Sequence, residues 1–139
     1  MNIYFACSIT GGREYEAVYQ AITRALLEAG HEVPTAHLAS ATVLEMEAVV
    51  EPREVYTRDV AWIKACDSLI AEVSVPSHGV GYEVGLALSL EKPVLCLYQE
   101  GQRISKMITG NNHPSLTVKA YRDVKQAVSH MRTFLNNDL

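Results

Sequence analysis

The stretch that decides the fold is residues 68–98, which read SLIAEVSVPSHGVGYEVGLALSLEKPVLCLY. Residues 68–73 form an apolar run typical of a buried strand, and the small residues of 74–81 indicate a turn. Residues 82–90 predict a helix, and 93–98 form a second apolar run. A strand, a turn, a helix and another strand in this order predict a parallel sheet that is covered by helices.

The same alternation extends in both directions along the chain. Segment 31–34 is assigned as an edge strand because Pro34 has no N–H to donate to a ladder. We therefore predict an α/β fold, a flavodoxin-like doubly wound five-stranded parallel sheet with helices on both faces. Ligands bind such sheets beyond the carboxyl ends of the strands. The predicted strands are 3–7, 31–34, 68–73, 93–98 and 116–121, and the predicted helices are 14–29, 42–49, 52–65, 82–90, 104–108 and 123–134.

Length and composition suit one folded domain that spans residues 1–139. Of these 139 residues, 48% are hydrophobic and 20% are charged. The formal net charge of -4 would repel a nucleic acid, so we expect no nucleic-acid polymer as a partner. A single phosphate is compatible with this charge, because backbone amides at a helix start can hold one.

The cysteines and the N-terminal residues predict the compartment. Cys7, Cys66 and Cys96 lie far apart and form no C-x-x-C pair, which indicates neither a disulfide framework nor a metal site. The chain opens on an apolar run without a basic leader, and no apolar stretch is long enough to span a bilayer. We expect a cytoplasmic protein with no membrane partner.

Two loops follow predicted strands and carry polar side chains. Residues 8–13, SITGGR, combine hydroxyls, two glycines and an arginine at a helix start, which suits an anion. A tight turn with a capped helix explains this loop equally well. Residues 76–85, PSHGVGYEVG, place Glu83 in the first turn of the predicted helix, where the helix dipole would stabilise its anion. The alternative is a glutamate that only caps the helix.

Glycosidic chemistry at Glu83 would need a second carboxylate to protonate the leaving group. Asp59 is the best-placed candidate. Aspartate is a poor helix former, so its position in the middle of a predicted helix indicates a specific role. The alternative is that Asp59 is an exposed partner for Arg58 or Lys64. Asp67 precedes a buried strand and is given a structural role. Tyr4, near the end of the first strand, would orient Glu83 if it points into the crevice.

Five segments together resemble the 2'-deoxynucleoside 5'-phosphate N-hydrolases of the nucleoside 2-deoxyribosyltransferase superfamily. The resemblance extends over nearly the whole chain, and no segment would be specific alone. It rests on residues 4–14 (YFACSITGGRE), 59–62 (DVAW) followed by 65–67 (ACD), 71–73 (AEV), 76–85 (PSHGVGYEVG) and 103–108 (RISKMI).

The resemblance implies a role for each matching residue. Glu83 matches the nucleophile that forms a glycosyl-enzyme intermediate at C1', Asp59 the acid that assists departure of the base, and Tyr4 the residue that positions the nucleophile. It also implies a homodimer in which Ser105 and Met107 reach the partner's site, and it implies no metal or cofactor. The predicted substrate-binding residues are Ser8, Ile9, Thr10, Gly11, Arg13, His37, Ser77, Gly79, Ser105 and Met107.

The first loop departs from the animal members of the family. Cys7 and Thr10 stand where those proteins have glycine and arginine, so Arg13 must compensate or the affinity for phosphate is lower. The expected substrate is a deoxynucleoside 5'-monophosphate, cleaved to free base and 2-deoxyribose 5-phosphate. Two alternatives stay open at this point, namely a 2-deoxyribosyltransferase that exchanges bases and a non-catalytic nucleotide-binding module.

Overall fold

The computed structural model describes residues 1–10 and 13–138, in which strands and helices alternate along the chain. The elements are β1 (Ile3–Ala6), α1 (Glu16–Glu28), a 3-10 helix (Ala36–Ala39), α2 (Val43–Ala48), α3 (Pro52–Ala65), β2 (Ser68–Glu72), α4 (His78–Ser89), β3 (Val94–Gln99), α5 (Lys106–Thr109), β4 (Leu116–Tyr121) and α6 (Val124–Asp138).

The four strands form one parallel sheet in the order β1-β2-β3-β4. Successive side chains of a strand point to opposite faces, so each strand contributes to two cores. One core joins Phe5 and Ile70 to side chains of α1 and α6, and the other joins Tyr4 and Leu69 to side chains of α3 and α4. The predicted parallel sheet with helices on both faces is therefore confirmed.

The predicted fifth strand, 31–34, is wrong. Among the described residues this segment forms one isolated parallel bridge, between Asn2 and Glu32, at the free edge of β1. The chain then turns, because the N–H of Ala36 donates to the carbonyl of Val33, and Pro34 has no N–H for a ladder. The hydroxyl oxygen of Thr35 accepts the N–H of Phe5 that a fifth strand would have paired.

The start of α4 also differs from the prediction. The helix begins at His78 instead of Tyr82, because the hydroxyl oxygen of Ser77 accepts a hydrogen bond from the N–H of Val80 and caps the first turn. Glu83 consequently lies in the second turn, where the helix dipole stabilises an anion less than it does at the helix start.

Three further observations bear on the sequence predictions. Among residues 1–10 and 13–138, every helix is too short or too polar to serve as a membrane span. Cys7, Cys66 and Cys96 are free and buried. Asp67 is structural, because its carboxylate accepts the backbone N–H of Asn2 at 2.7 Å and joins the start of β1 to the start of β2.

Candidate active site

A cleft of about 490 Å³ opens beyond the carboxyl ends of β1 and β2, where a doubly wound sheet binds its ligands. Its walls come from the segment after β1, from α2 and α3, and from the start of α4. The polar lining residues are Thr10, Glu47, Tyr56, Asp59, Ser77, Tyr82 and Glu83, and the apolar ones include Ile9, Val50, Val55, Val60 and Ile63.

Tyr4 and Glu83 are in direct contact beside this cleft. Tyr4 is fully buried on β1, and its hydroxyl donates a hydrogen bond to Oε2 of Glu83. The two residues are far apart in the sequence, and the packing of α4 against the sheet brings them together. The structure thus places Tyr4 where it can orient the carboxyl group of Glu83.

Burial raises the pKa of Glu83 to about 8 from an ordinary value of 4.5. The sequence predicted instead that Glu83 lies in the first turn of α4, where the helix dipole stabilises the anion. Glu83 lies in the second turn, and burial disfavours its anion. A carboxyl group with this pKa is mainly protonated at neutral pH in the unliganded protein, and its nucleophilic form increases as the pH rises.

Asp59 projects from α3 into the same cleft, so the structure brings together the two carboxyl groups that glycosidic chemistry requires. Its Oδ1 also accepts a 2.8 Å hydrogen bond from Nε of Arg58. Asp59 is therefore both a residue that lines the cleft and a hydrogen-bond partner of Arg58.

Glu47 is a cleft residue that sequence reasoning missed. Its carboxylate accepts hydrogen bonds at 2.9 Å from both Nε2 of His37 and a terminal nitrogen of Arg58. Burial opposes ionisation of Glu47, but these two partners outweigh it and lower the pKa. No local sequence pattern indicated a role for Glu47. Its partners His37 and Arg58 lie 10 and 11 residues away in the sequence and contact it only in the folded chain. His37, predicted to lie near the base, does not line the cleft and contacts it through Glu47.

The first loop contributes Ile9 and Thr10 to the cleft. Ser8 is fully buried, and its hydroxyl finds no partner among residues 1–10 and 13–138. The guanidinium of Arg13 is used elsewhere, because it donates at 3.0 Å to the backbone carbonyls of Ser8 and Ser40 and does not line the cleft. Gly11, predicted to bind substrate, lies outside the described residues.

The start of α4 separates this cleft from a second one of about 720 Å³, which lies between α4 and α5. Ser77 and Gly79 line the first cleft, as predicted for substrate-binding residues. Ser105 and Met107 line only the second cleft, and the Met107 side chain is 83% exposed. Within one chain these two residues share the second cleft with Ser77, which lines both clefts, and they do not line the cleft that contains Glu83 and Asp59.

The described residues hold no group of three or more histidine, cysteine or acidic side chains arranged to bind a metal ion. The chemistry that their cleft offers comes from two carboxyl groups, a tyrosine hydroxyl and an apolar wall. A carboxyl pair of this kind can combine nucleophilic attack with proton transfer.

Comparison with known proteins identifies relatives of this chain. A protein of Methanosarcina mazei with the provisional name 2'-deoxynucleoside 5'-phosphate N-hydrolase 1 is 40% identical over 94% of this chain and 80% of its own length. The 5-hydroxymethyl-dUMP N-hydrolase of Mus musculus is 43% identical over 78% of this chain and 65% of its own length.

A solved structure and a family match complete the comparison. The CMP N-glycosidase BcmB of Clostridium botulinum superposes with a TM-score of 0.72, at 22% identity, over 95% of this chain and 98% of its own, which shows a shared fold. The sequence model of the nucleoside 2-deoxyribosyltransferase family matches residues 3–131. The chain belongs to the nucleoside 2-deoxyribosyltransferase family.

Proposed function

We propose that this protein is an N-glycosidase that hydrolyses 2'-deoxynucleoside 5'-monophosphates to a free base and 2-deoxyribose 5-phosphate. One observation carries the proposal: Glu83 and Asp59 line the same cleft, and Tyr4 holds Glu83 by a hydrogen bond. The relatives named as N-hydrolases of deoxynucleotides support the reaction and the substrate class. The whole chain, residues 1–139, acts as one catalytic domain.

The reaction is a double displacement. The ionised carboxylate of Glu83 attacks C1' while the C1'–N bond breaks, and Asp59 transfers its proton to the departing base. Water then attacks C1' of the glycosyl ester, Asp59 accepts a proton from that water, and Glu83 leaves as a carboxylate. A 2'-hydroxyl would withdraw electrons from the cationic transition state, which favours deoxyribose.

The 5'-phosphate is held where the first loop meets the start of α4. Ser8 and Thr10 contribute from the loop, and Ser77 and Gly79 contribute from the N-terminus of α4, whose backbone dipole attracts an anion. Arg13 contributes indirectly, because its bond to the carbonyl of Ser8 shapes this loop. Hydroxyls and backbone amides bind the phosphate in place of the arginine that the animal members of the family have at the position of Thr10.

The active form is a homodimer in which Ser105 and Met107 of one protomer complete the phosphate site of its partner. The exposure of both residues supports this, as does their position in a cleft adjoining the start of α4. Exposed apolar side chains such as Met107 are typical of surfaces that bind another protein.

The decisive experiment is incubation of the protein with each common 2'-deoxynucleoside 5'-monophosphate and with 5-hydroxymethyl-dUMP, with free base measured by chromatography. The matched ribonucleotides and dephosphorylated deoxynucleosides serve as controls. We expect base release from one or more deoxynucleotides and at least about tenfold less from the controls. Release from ribonucleotides alone would refute the proposal, and formation of a new nucleotide when a second base is added would identify a transferase.

A further inference from the structure

Arg58 occupies an unusual position between the two acidic residues of the cleft that lie outside α4. Its Nε donates to Oδ1 of Asp59 at 2.8 Å, and its terminal nitrogens donate to Glu47 at 2.9 and 3.4 Å. The guanidinium also lies over the ring of Trp62, with Cζ 4.9 Å from the ring centroid. One cation therefore contacts two carboxylates and an aromatic face.

The contact between Arg58 and Asp59 is not a consequence of helix geometry. Adjacent side chains on a helix project about 100° apart and do not normally face each other. Arg58 reaches Asp59 because its guanidinium is held in place, by Glu47 from α2 on one side and by Trp62, one turn along α3, on the other. The side chain of Arg58 is only 25% exposed, so these contacts are partly shielded from water.

The hydrogen bond from Arg58 leaves the two oxygens of Asp59 with different surroundings. Oδ1 accepts from Nε of Arg58, whereas Oδ2 accepts no hydrogen bond from any of the residues that the structure describes. Oδ2 is thus the oxygen that stays available to a substrate.

We propose that Arg58 is a positioning residue of the active site, which holds the carboxyl group of Asp59 with Oδ2 available to the departing base, and that Glu47 acts on catalysis through Arg58. This inference rests on the proposed function, because it assumes that Asp59 transfers the proton. It adds to the reaction two residues, Arg58 and Glu47, that act through Asp59.

The test compares the parent with Arg58→Gln, Arg58→Lys, Glu47→Gln and the double variant Arg58→Gln/Glu47→Gln, on the deoxynucleotide that the parent cleaves fastest. Arg53→Gln is the matched control, because Arg53 is an exposed arginine of the same helix. The measurements are kcat and KM for each protein and its thermal unfolding temperature. Unfolding temperatures identify any variant whose activity is lost through unfolding.

A positioning role predicts a fall in kcat without an equal rise in KM. We expect Arg58→Gln to lower kcat about 10- to 100-fold, the range that misplaced catalytic groups produce, with KM within about threefold of the parent. Arg58→Lys should recover part of the loss, because an ammonium keeps the charge but cannot donate from both Nε and the terminal nitrogens. Arg53→Gln should match the parent.

The double variant separates a shared role from independent ones. If Glu47 acts through Arg58, Glu47→Gln lowers kcat in the parent but adds no further loss in Arg58→Gln. Two independent, multiplying losses would overturn the inference, as would an Arg58→Gln protein with kcat within about twofold of the parent. If Arg58→Gln does not fold, the test uses Arg58→Lys and Glu47→Gln. A positioning role then predicts that these variants have a lower kcat without an equal rise in KM. A parent that releases no base refutes the proposed function instead.

Discussion

At the scale of single residues, Glu83 combines burial with a hydrogen bond from the hydroxyl of Tyr4. Burial dominates, and the carboxyl group has a pKa of about 8. A nucleophile must be ionised, so the fraction of the unliganded protein that is ready to react is small at neutral pH and increases above it. The pH dependence of the reaction is therefore a direct measure of this residue.

We predict that the pH profile of kcat/KM has an inflection at about pH 8, because kcat/KM reports the ionisation of Glu83 in the free enzyme. Initial rates of base release between pH 5.5 and 9.5, at substrate concentrations well below KM, provide the measurement. A substrate phosphate ionises near pH 6 and would give a separate, lower limb. A kcat/KM that stays constant from pH 6 to 9 would contradict the assignment of Glu83 as the nucleophile.

The variant Glu83→Gln should abolish base release and stabilise the fold at alkaline pH. Because the pKa of Glu83 is raised from 4.5 to about 8 on folding, the folded state binds more protons than the unfolded state between these values. The parent therefore loses stability as the pH rises through this window, and the glutamine variant does not lose it through this group. The unfolding temperature of the variant, relative to that of the parent, should be higher at pH 8.5 than at pH 5. A difference between the two proteins that does not change with pH would contradict a buried carboxyl group with a raised pKa.

At the scale of elements, the start of α4 determines where the cleft residues of this helix lie. The cap by Ser77 adds a turn before Tyr82, and this turn moves Glu83 from the first turn to the second. The same turn brings Ser77 and Gly79 to the cleft and separates it from the second cleft. The Ser77 hydroxyl therefore determines where α4 begins and, as a result, where the Glu83 carboxyl group lies.

We predict that Ser77→Ala destabilises the protein by about 1 kcal/mol, because the N–H of Val80 loses its capping acceptor. This corresponds to a decrease of about 2–5 °C in the unfolding temperature of a protein of this size. Ser89→Ala is the matched control, since the Ser89 hydroxyl donates to a carbonyl at the other end of the same helix and is exposed. Equal unfolding temperatures for Ser77→Ala and the parent would show that the cap does not stabilise the helix.

At the scale of the whole molecule, the described chain has two clefts on either side of the start of α4, and only one of them contains Glu83 and Asp59. The residues predicted to complete the phosphate site, Ser105 and Met107, line the other cleft. In the proposed homodimer, these residues of one protomer reach the phosphate site of its partner. The homodimer remains a proposal, and its test follows from the exposure of Met107.

We predict that Met107→Glu converts a dimer into a monomer and raises KM by about tenfold or more, because it places a charge in the proposed interface near an anionic substrate. Light scattering after size exclusion gives the mass, and kinetics on the deoxynucleotide give KM. Leu27→Glu is the control, as Leu27 is an exposed apolar residue of α1, which packs on the opposite face of the sheet. A parent that is monomeric at all concentrations and fully active would refute the shared site.

The periodicity of the sequence predicted most of the architecture. Apolar runs and helical spacing are local properties of the chain, so β4 was predicted with the bounds that the structure has, 116–121, and α3 with the bounds 52–65. The parallel sheet with two covered faces followed from the alternation of these elements. Motif resemblance identified Glu83 and Asp59, which the structure places in one cleft.

Only the tertiary structure decided the properties that depend on residues distant in the chain. Residues 31–34 have the pattern of a strand, but Thr35 takes the N–H that this strand would have paired. The contacts of Glu47 with His37 and Arg58, and the burial that raises the pKa of Glu83, exist only once α2, α3 and α4 pack around the end of the sheet. A sequence pattern specifies the period of the backbone, whereas desolvation and side-chain contacts depend on which surfaces meet when the chain folds.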